Sequence, residues 1–171
     1  MNTFEMSTSV RSELSKDQFD KINGCIADLA VKLQISNILL VNRAGRVLAK
    51  HMAGVVHVDA ETLASLVAGS HAAGIELARL LGEKQSFKSV LYEGQAVNVL
   101  ISSIQDEHFL VTVFNTQLAL GMVRLYVKRA IQALEPILSG PQQETDFGSI
   151  FDDKFQNLLG EELDRTLRDS F

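Results

Sequence analysis

The chain has little cysteine and proline and no long apolar run. One cysteine, two prolines and no tryptophan occur among 171 residues, and no stretch approaches the ~20 apolar residues of a membrane-spanning helix. The one cysteine, Cys25, cannot form an internal disulfide, and its place on an apolar helical stripe favours a buried core thiol. Because the first twenty residues have no continuous apolar run after a basic start, no signal peptide is expected there. These absences predict a cytoplasmic protein without membrane insertion.

The net negative charge is confined to one end of the chain. Residues 1–141 hold 13 acidic and 13 basic side chains, whereas residues 142–171 hold eight acidic and three basic, which accounts for the whole net charge of −5. A phosphate backbone is bound by a basic patch, so this distribution argues against a nucleic-acid ligand. It indicates instead that residues 142–171 form an appendage distinct from the body.

Catalytic and metal-binding signatures are missing. The sequence has no G-x-x-x-x-G-K-[ST] phosphate loop, no G-x-G-x-x-G after a strand and no G-x-S-x-G nucleophile elbow. His51 and His57, with Asp59 nearby, lack the closer ligand spacing of zinc sites, so no metal and no cofactor are expected. A hydrolase would have to pair Ser70 with His71, and adjacent helical residues point about 100° apart. We therefore expect a protein that is not an enzyme.

Periodicity and capping residues predict three helices and five strands. A capping box at Ser15 and Gln18 begins a helix over 16–34, Asp59 begins a central helix over 60–81 that Gly82 ends, and a third helix spans about 117–138 before Gly140. Pro136 and the pair Gly140-Pro141 are expected to close the body. The predicted strands are 35–41, 46–51, 90–92, 96–104 and 109–114. The order α-β-β-α-β-β-β-α predicts an α/β chain of the α+β sandwich class, with one five-stranded antiparallel sheet covered by helices.

The same periodicity predicts which helix faces are buried. Both flanks of the central helix, 63–67 and 77–81, are expected to face the core. The buried side of the first helix is predicted to comprise Phe19, Ile22, Ile26, Leu29, Ala30 and Leu33. The buried side of the third is predicted to comprise Leu118, Met122, Leu125, Val127, Ile131 and Leu134.

Composition divides the chain into four predicted segments. These are a disordered leader over 1–14, a globular domain over 15–141, a flexible linker over 142–149 and an amphipathic C-terminal helix over 150–171. The helix either packs on its own domain or docks in a groove of a partner. Its apolar face comprises Phe151, Phe155, Leu158, Leu159, Leu163 and Leu167.

Small residues fill the middle of the central helix, which runs Ala68-Gly69-Ser70-His71-Ala72-Ala73-Gly74. Two glycines inside a helix cost about 1 kcal/mol each relative to alanine. They permit either close packing within the fold or a flat platform for the backbone of another protein. The two interpretations are compatible, because a homodimer could place two such helices side by side.

Four segments resemble the roadblock/dynein light chain superfamily and, within it, the bacterial MglB family. The central helix, TLASLVAGSHAAGIELARLLGE from Thr62, is similar to the family's central helix. Residues 38–45 resemble its first hairpin, 110–115 its last strand and 121–125 the G-x-V-[RK]-L start of its third helix. The similarity covers about residues 16–138. Ser70-His71 departs from the Asn-Ala that is usual in close relatives.

The resemblance implies a homodimer whose sheets join edge to edge and whose central helices pair on one face. It implies that the dimer binds a Ras-like small GTPase of the MglA type and stimulates GTP hydrolysis in bacterial cell polarity and gliding motility, with concentration at a cell pole left open. The required arginine and water-orienting glutamine would both come from the GTPase. The alternative is a roadblock scaffold that anchors a complex without changing hydrolysis.

The resemblance also implies two partner-binding regions. Carried over by position, the central-helix residues are Leu66, Gly69, Ser70, His71, Ala73, Gly74 and Leu77. The C-terminal helix would add a second contact to the GTPase through Phe151, Phe155, Leu158, Leu159 and Leu163.

Overall fold

The computed structural model describes residues 14–53 and 58–140 of the chain. In chain order the elements are α1 (Lys16–Leu33), β1 (Asn37–Asn42), β2 (Val47–Met52), α2 (Ala60–Leu80), β3 (Ser89–Glu93), β4 (Val97–Ile104), β5 (His108–Asn115) and α3 (Leu120–Leu138). The strands form one antiparallel sheet in the order β2-β1-β5-β4-β3. This arrangement confirms the predicted α+β roadblock fold. The predicted linker, the C-terminal helix, His57 and residues 1–13 of the leader lie outside the described residues.

The core has two layers, one on each face of the sheet. Along β1, Ile38 and Leu40 join a cluster with α1 and α3, whereas Leu39 and Val41 join a second cluster with α2. Successive side chains of a strand point to opposite faces. An uninterrupted apolar strand therefore places one helix layer on each side of the sheet.

Helix α1 begins as the sequence predicts. The Ser15 side chain accepts a hydrogen bond from the Gln18 backbone N–H at 3.2 Å, and Gln18 Oε1 accepts one from the Ser15 N–H at 2.9 Å. Gln18 Nε2 also donates to the Ile137 carbonyl at 2.8 Å, which ties α1 to the end of α3. Leu14, assigned by the sequence to the leader, is buried. It occupies the position before the cap and belongs to the same core cluster as Phe19, the residue that a hydrophobic staple would pair with it. The six residues predicted for the buried side of α1 are buried, whereas Cys25, predicted to be a buried core thiol, is not fully buried. The six are Phe19, Ile22, Ile26, Leu29, Ala30 and Leu33.

Cys25 is only half-buried, between α1 and α3. Its Sγ lies 3.7 Å from the Ala130 carbonyl oxygen. Burial raises the pKa of this thiol, with a smaller contribution in the same direction from Asp28. The thiol therefore stays protonated and weakly nucleophilic at neutral pH.

Helix α3 differs from the prediction at its start and at its end. It starts at Leu120 rather than near residue 117, because the Asn115 side chain accepts the Gln117 N–H at 2.8 Å and holds the chain in a turn. Pro136 does not close the body but lies inside α3, which continues to Leu138. Because Pro136 is exposed in the last turns, the helix loses one hydrogen bond at a position that water can reach.

The buried face of α3 is also rotated from the predicted one. Met122 and Leu125 are 45% and 49% exposed, although the sequence places them in the core. The helix has apolar residues on more than one side, so periodicity alone wrongly includes Met122 and Leu125, whereas Val127 and Leu134 are buried as predicted. The buried residues are Val123, Val127, Ala130, Leu134 and Leu138.

Candidate protein-binding surface

Helix α2 buries three alanines and one valine and exposes most of its leucines. The buried residues are Ala60, Ala64, Val67 and Ala78. Leu80 and Leu81, expected to face the core, are 74% and 67% exposed. The prediction of core-facing flanks is therefore wrong for most of these leucines, although Leu63 does pack partly against the core. Small inward side chains let the helix axis approach the sheet closely.

The first hairpin packs directly against α2. Gly45, in the turn between β1 and β2, has a φ of +78°, and a Cβ at this position would lie 3.3 Å from Ala68 Cβ and 3.4 Å from the Ala64 carbonyl oxygen. Asn42 closes the turn by accepting the Arg46 N–H through its side chain at 2.9 Å. The glycine is needed for both the backbone conformation and the close approach.

Four of the predicted partner-binding residues form one exposed stripe along α2. Leu66, Gly69, Ala73 and Leu77 follow each other at spacings of three or four residues, which places them on one helix face. We call them the outer stripe. Leu66 is 66% exposed and Leu77 51%. A Cβ added at Gly69 would meet no atom within 4 Å. No described part of the chain therefore requires a glycine here for close packing.

Each of the other three predicted residues lies against another part of the described chain. Ser70 Oγ and the Tyr92 hydroxyl are hydrogen-bonded at 2.7 Å. The His71 ring lies on Phe109, with a centroid distance of 4.6 Å and an interplanar angle of 50°. A Cβ at Gly74 would be 3.9 Å from Phe87 Cδ2, an ordinary contact. The structure therefore does not bring all seven residues to one surface.

The side chains of Ser70 and His71 contact different strands of the sheet. Ser70 is directed to a tyrosine on β3, whereas the tilted His71 ring lies against Phe109 on β5. Burial lowers the pKa of His71, and Arg43 lowers it further, while Asp106 and Glu107 oppose the shift. The two side chains have separate partners, so the geometry offers no nucleophile–base pair.

Part of the α2 side of the sheet is not covered by any helix within residues 14–53 and 58–140. Tyr92 on β3 and Val97 on β4 point to the same face as α2, and each is 50% exposed. Val90 and Val99, which alternate with them on this face, are only half-buried. This surface was not predicted from the sequence. Its signal was that β3 and β4 carry apolar residues on both faces, while α2 is the one helix of the described residues on this side.

Metal-binding and membrane-spanning features are absent from residues 14–53 and 58–140. In this part of the chain no three His, Cys, Asp or Glu side chains gather in a way that could hold a metal ion. None of its helices combines the length and apolarity needed to cross a membrane. His51, one of the two histidines considered as ligands, lies half-buried on β2.

Comparisons with known proteins agree with this architecture. The sequence model of the Roadblock/LC7 domain matches residues 26–114. Myxococcus xanthus MglB is 30% identical, with a TM-score of 0.68 over 72% of this chain and 98% of that one. The gliding protein MglB from Thermus thermophilus is also 30% identical, with a TM-score of 0.69 over 75% and 96% of the two chains. A structure of MglB with a tetrameric arrangement gives 30% identity and a TM-score of 0.69 over 74% and 93%. The chain therefore belongs to the Roadblock/LC7 domain family, and over most of its length it is similar to MglB proteins.

Proposed function

We propose that the protein is a homodimeric regulator that binds a Ras-like small GTPase of the MglA type and stimulates its GTP hydrolysis. The observation that carries the proposal is the outer stripe, where Leu66 and Leu77 are exposed on either side of Gly69 and Ala73. Exposed apolar surface of this kind marks interaction sites. The small residues in the middle of the stripe would allow the backbone of a partner to approach the helix. The similarity to MglB proteins at 30% identity supports the same role.

The homodimer is supported by the open part of the sheet. Strand β3 is an edge strand, with backbone groups available to a further strand. Beside it, Tyr92 and Val97 leave an apolar surface uncovered on the α2 side. A second copy joined through β3 would extend the sheet and bring its own α2 over this surface. One similar MglB structure is described as a tetrameric arrangement, which is consistent with self-association in this family.

In this proposal the regulator supplies surface rather than catalytic groups. Helix α2 has one arginine, Arg79, and its guanidinium pairs with Glu76 of the same helix at 2.9 Å. The outer stripe itself has no charged or nucleophilic side chain. Stabilisation of the transition state then depends on an arginine and a glutamine of the GTPase, which binding to α2 would hold in position. The cellular role would be control of polarity and gliding motility, and one of the similar proteins is named a gliding protein.

A second contact to the GTPase is proposed through the C-terminal helix predicted over residues 150–171. Its residues Phe151, Phe155, Leu158, Leu159 and Leu163 lie outside the described residues. The same holds for the linker predicted over 142–149, so both segment boundaries remain proposals from the sequence.

The proposal is tested by phosphate release from a GTP-loaded MglA-like GTPase mixed with the protein. We expect faster release with the wild-type chain and loss of binding with Ala73→Arg, which places a long charged side chain in the middle of the outer stripe. Ala133→Arg makes the same change at an exposed position of α3 and serves as the control. Binding of the GTPase without faster phosphate release would support the alternative, a roadblock scaffold that does not change hydrolysis. Equal affinity of Ala73→Arg and Ala133→Arg would move the interface away from α2.

A further inference from the structure

A cleft of about 650 Å³ lies between α3 and strands β3 and β4, on the face of the sheet opposite to α2. Its floor is apolar and includes Leu100 and Val127, which are buried, and Ile131, which is half-buried. Its lining also includes Ser102, which is buried and lies on the same side of β4 as Leu100. This part of the sheet therefore presents a recess with both apolar and polar lining.

The lining of the cleft carries unpaired positive charge. Lys88, Arg124 and Lys128 line it, all three are exposed, and none forms an ion pair with another described residue. Two carboxylates also line the cleft. Asp106 is held by hydrogen bonds from Ser86 and Ser103, and Glu135 lies near the end of α3. The cleft thus has more cations than anions, and its cations are free to bind an acidic ligand.

We propose that this cleft binds the chain's own acidic segment, residues 142–171, in the same protomer. The segment carries eight acidic and three basic side chains, whereas the rest of the chain is neutral. Its predicted helix also has an apolar face of phenylalanine and leucine residues. In this arrangement the apolar face of the segment would pack on the cleft floor. The carboxylates of the segment would pair with Lys88, Arg124 and Lys128.

The connection is long enough for the segment to fold back. Helix α3 ends at Leu138, and Arg124 lies about 21 Å back along it at 1.5 Å per residue. The eight residues of the predicted linker, 142–149, span up to ~27 Å when extended. A helix after this linker can therefore turn back and lie antiparallel to α3 over the cleft. This inference concerns two parts of one chain and is tested without a GTPase, but it uses the same apolar face that is proposed above to contact the GTPase. The two contacts would therefore exclude each other, with the segment held in the cleft when no GTPase is bound.

Zero-length carbodiimide cross-linking of the full chain tests the inference, since it joins a carboxylate to a lysine amine only at contact distance. We expect residues 142–171 to cross-link mainly to Lys88 and Lys128. Lys32 on α1 and Lys50 on β2 are exposed lysines on other parts of the surface and serve as internal references. Mixing isotopically light and heavy protein distinguishes links within one chain from links between two. Links distributed evenly over all four lysines would overturn the proposal, and so would links found only between chains.

Charge-reversal variants provide a second test of binding between the cleft and residues 142–171. Arg124→Glu is expected to reduce cross-links to Lys128 by about fivefold or more, and about 0.5 M salt should also reduce them in the wild type, because exposed charges are screened. Arg129→Glu is the matched control, since Arg129 is on the same helix, lies over the Tyr126 ring at 5.7 Å and does not line the cleft. Circular dichroism checks that both variants fold. Equal cross-link yields in the two variants would overturn the proposal.

Discussion

Single residues hold the hairpin between β1 and β2 against α2, and Gly45 is the most constrained of them. An alanine here would take a left-handed backbone conformation and place its Cβ 3.3 Å from Ala68 Cβ. We expect Gly45→Ala to lower the free energy of unfolding by about 1–3 kcal/mol in urea titrations. Gly121→Ala is the control, because a Cβ at Gly121 meets no atom within 4 Å. Equal unfolding midpoints for the two variants would contradict this role of Gly45.

His108 makes the stability of the fold depend on pH. Burial lowers its pKa, partly offset by Glu107, and its Nδ1 has no hydrogen-bond partner among the described residues. The unfolded chain then binds a proton at a higher pH than the folded chain, so stability falls as the pH drops through the unfolded value of about 6.5. We expect urea titrations between about pH 7.5 and 5.5 to show a smaller fall for His108→Gln than for the wild type. An identical pH dependence would contradict this assignment.

At the scale of elements, Gly69 lowers the stability of α2, and no close packing in the described chain requires a glycine at this position. Gly69 is exposed with open space around it, so Gly69→Ala is expected to raise the free energy of unfolding by up to about 1 kcal/mol. Because Gly69 belongs to the outer stripe, the same change should weaken binding of the GTPase. Thermal unfolding and a binding titration measure the two effects.

Gly74→Ala is the matched control for this prediction. Gly74 lies on the same helix but faces Phe87 at an ordinary contact distance. The variant should gain comparable stability and keep its affinity for the GTPase. A loss of affinity in Gly74→Ala but not in Gly69→Ala would place the interface on the other side of α2.

At the scale of the whole molecule, the uncovered apolar surface of β3 predicts how two copies associate. Tyr92→Glu puts a charge on this surface and is expected to convert the dimer to a monomer in analytical ultracentrifugation. Leu125→Glu is the control, because Leu125 is 49% exposed, close to the 50% of Tyr92, but lies on α3. A Tyr92→Glu protein that remains dimeric, or a monomeric Leu125→Glu protein, would move the dimer interface to another surface.

Local signals were sufficient for the elements and their order. The capping box at Ser15 and Gln18, the cap at Asp59 and the glycine after α2 act within a few residues, so helix ends could be predicted closely. The start of α3 was missed because the Asn115 side chain holds a turn that competes with the helix. The sequence predicted that Pro136 closes the body, but the helix continues through it. A proline is tolerated there because the position is exposed, and exposure depends on the tertiary structure.

The sequence by itself determined the α+β order, the antiparallel sheet and the small-residue stretch of α2, because caps, turns and periodicity are properties of neighbouring residues. Only the tertiary structure decided which side of α2 meets the sheet. Helix α2 has small and apolar residues on more than one side, so no local signal selects the side to be buried. The first hairpin packs against the side that carries Ala64 and Ala68. That choice leaves Leu66 and Leu77 exposed, places the His71 ring against Phe109 of the sheet, and produces the surface on which the proposed function depends.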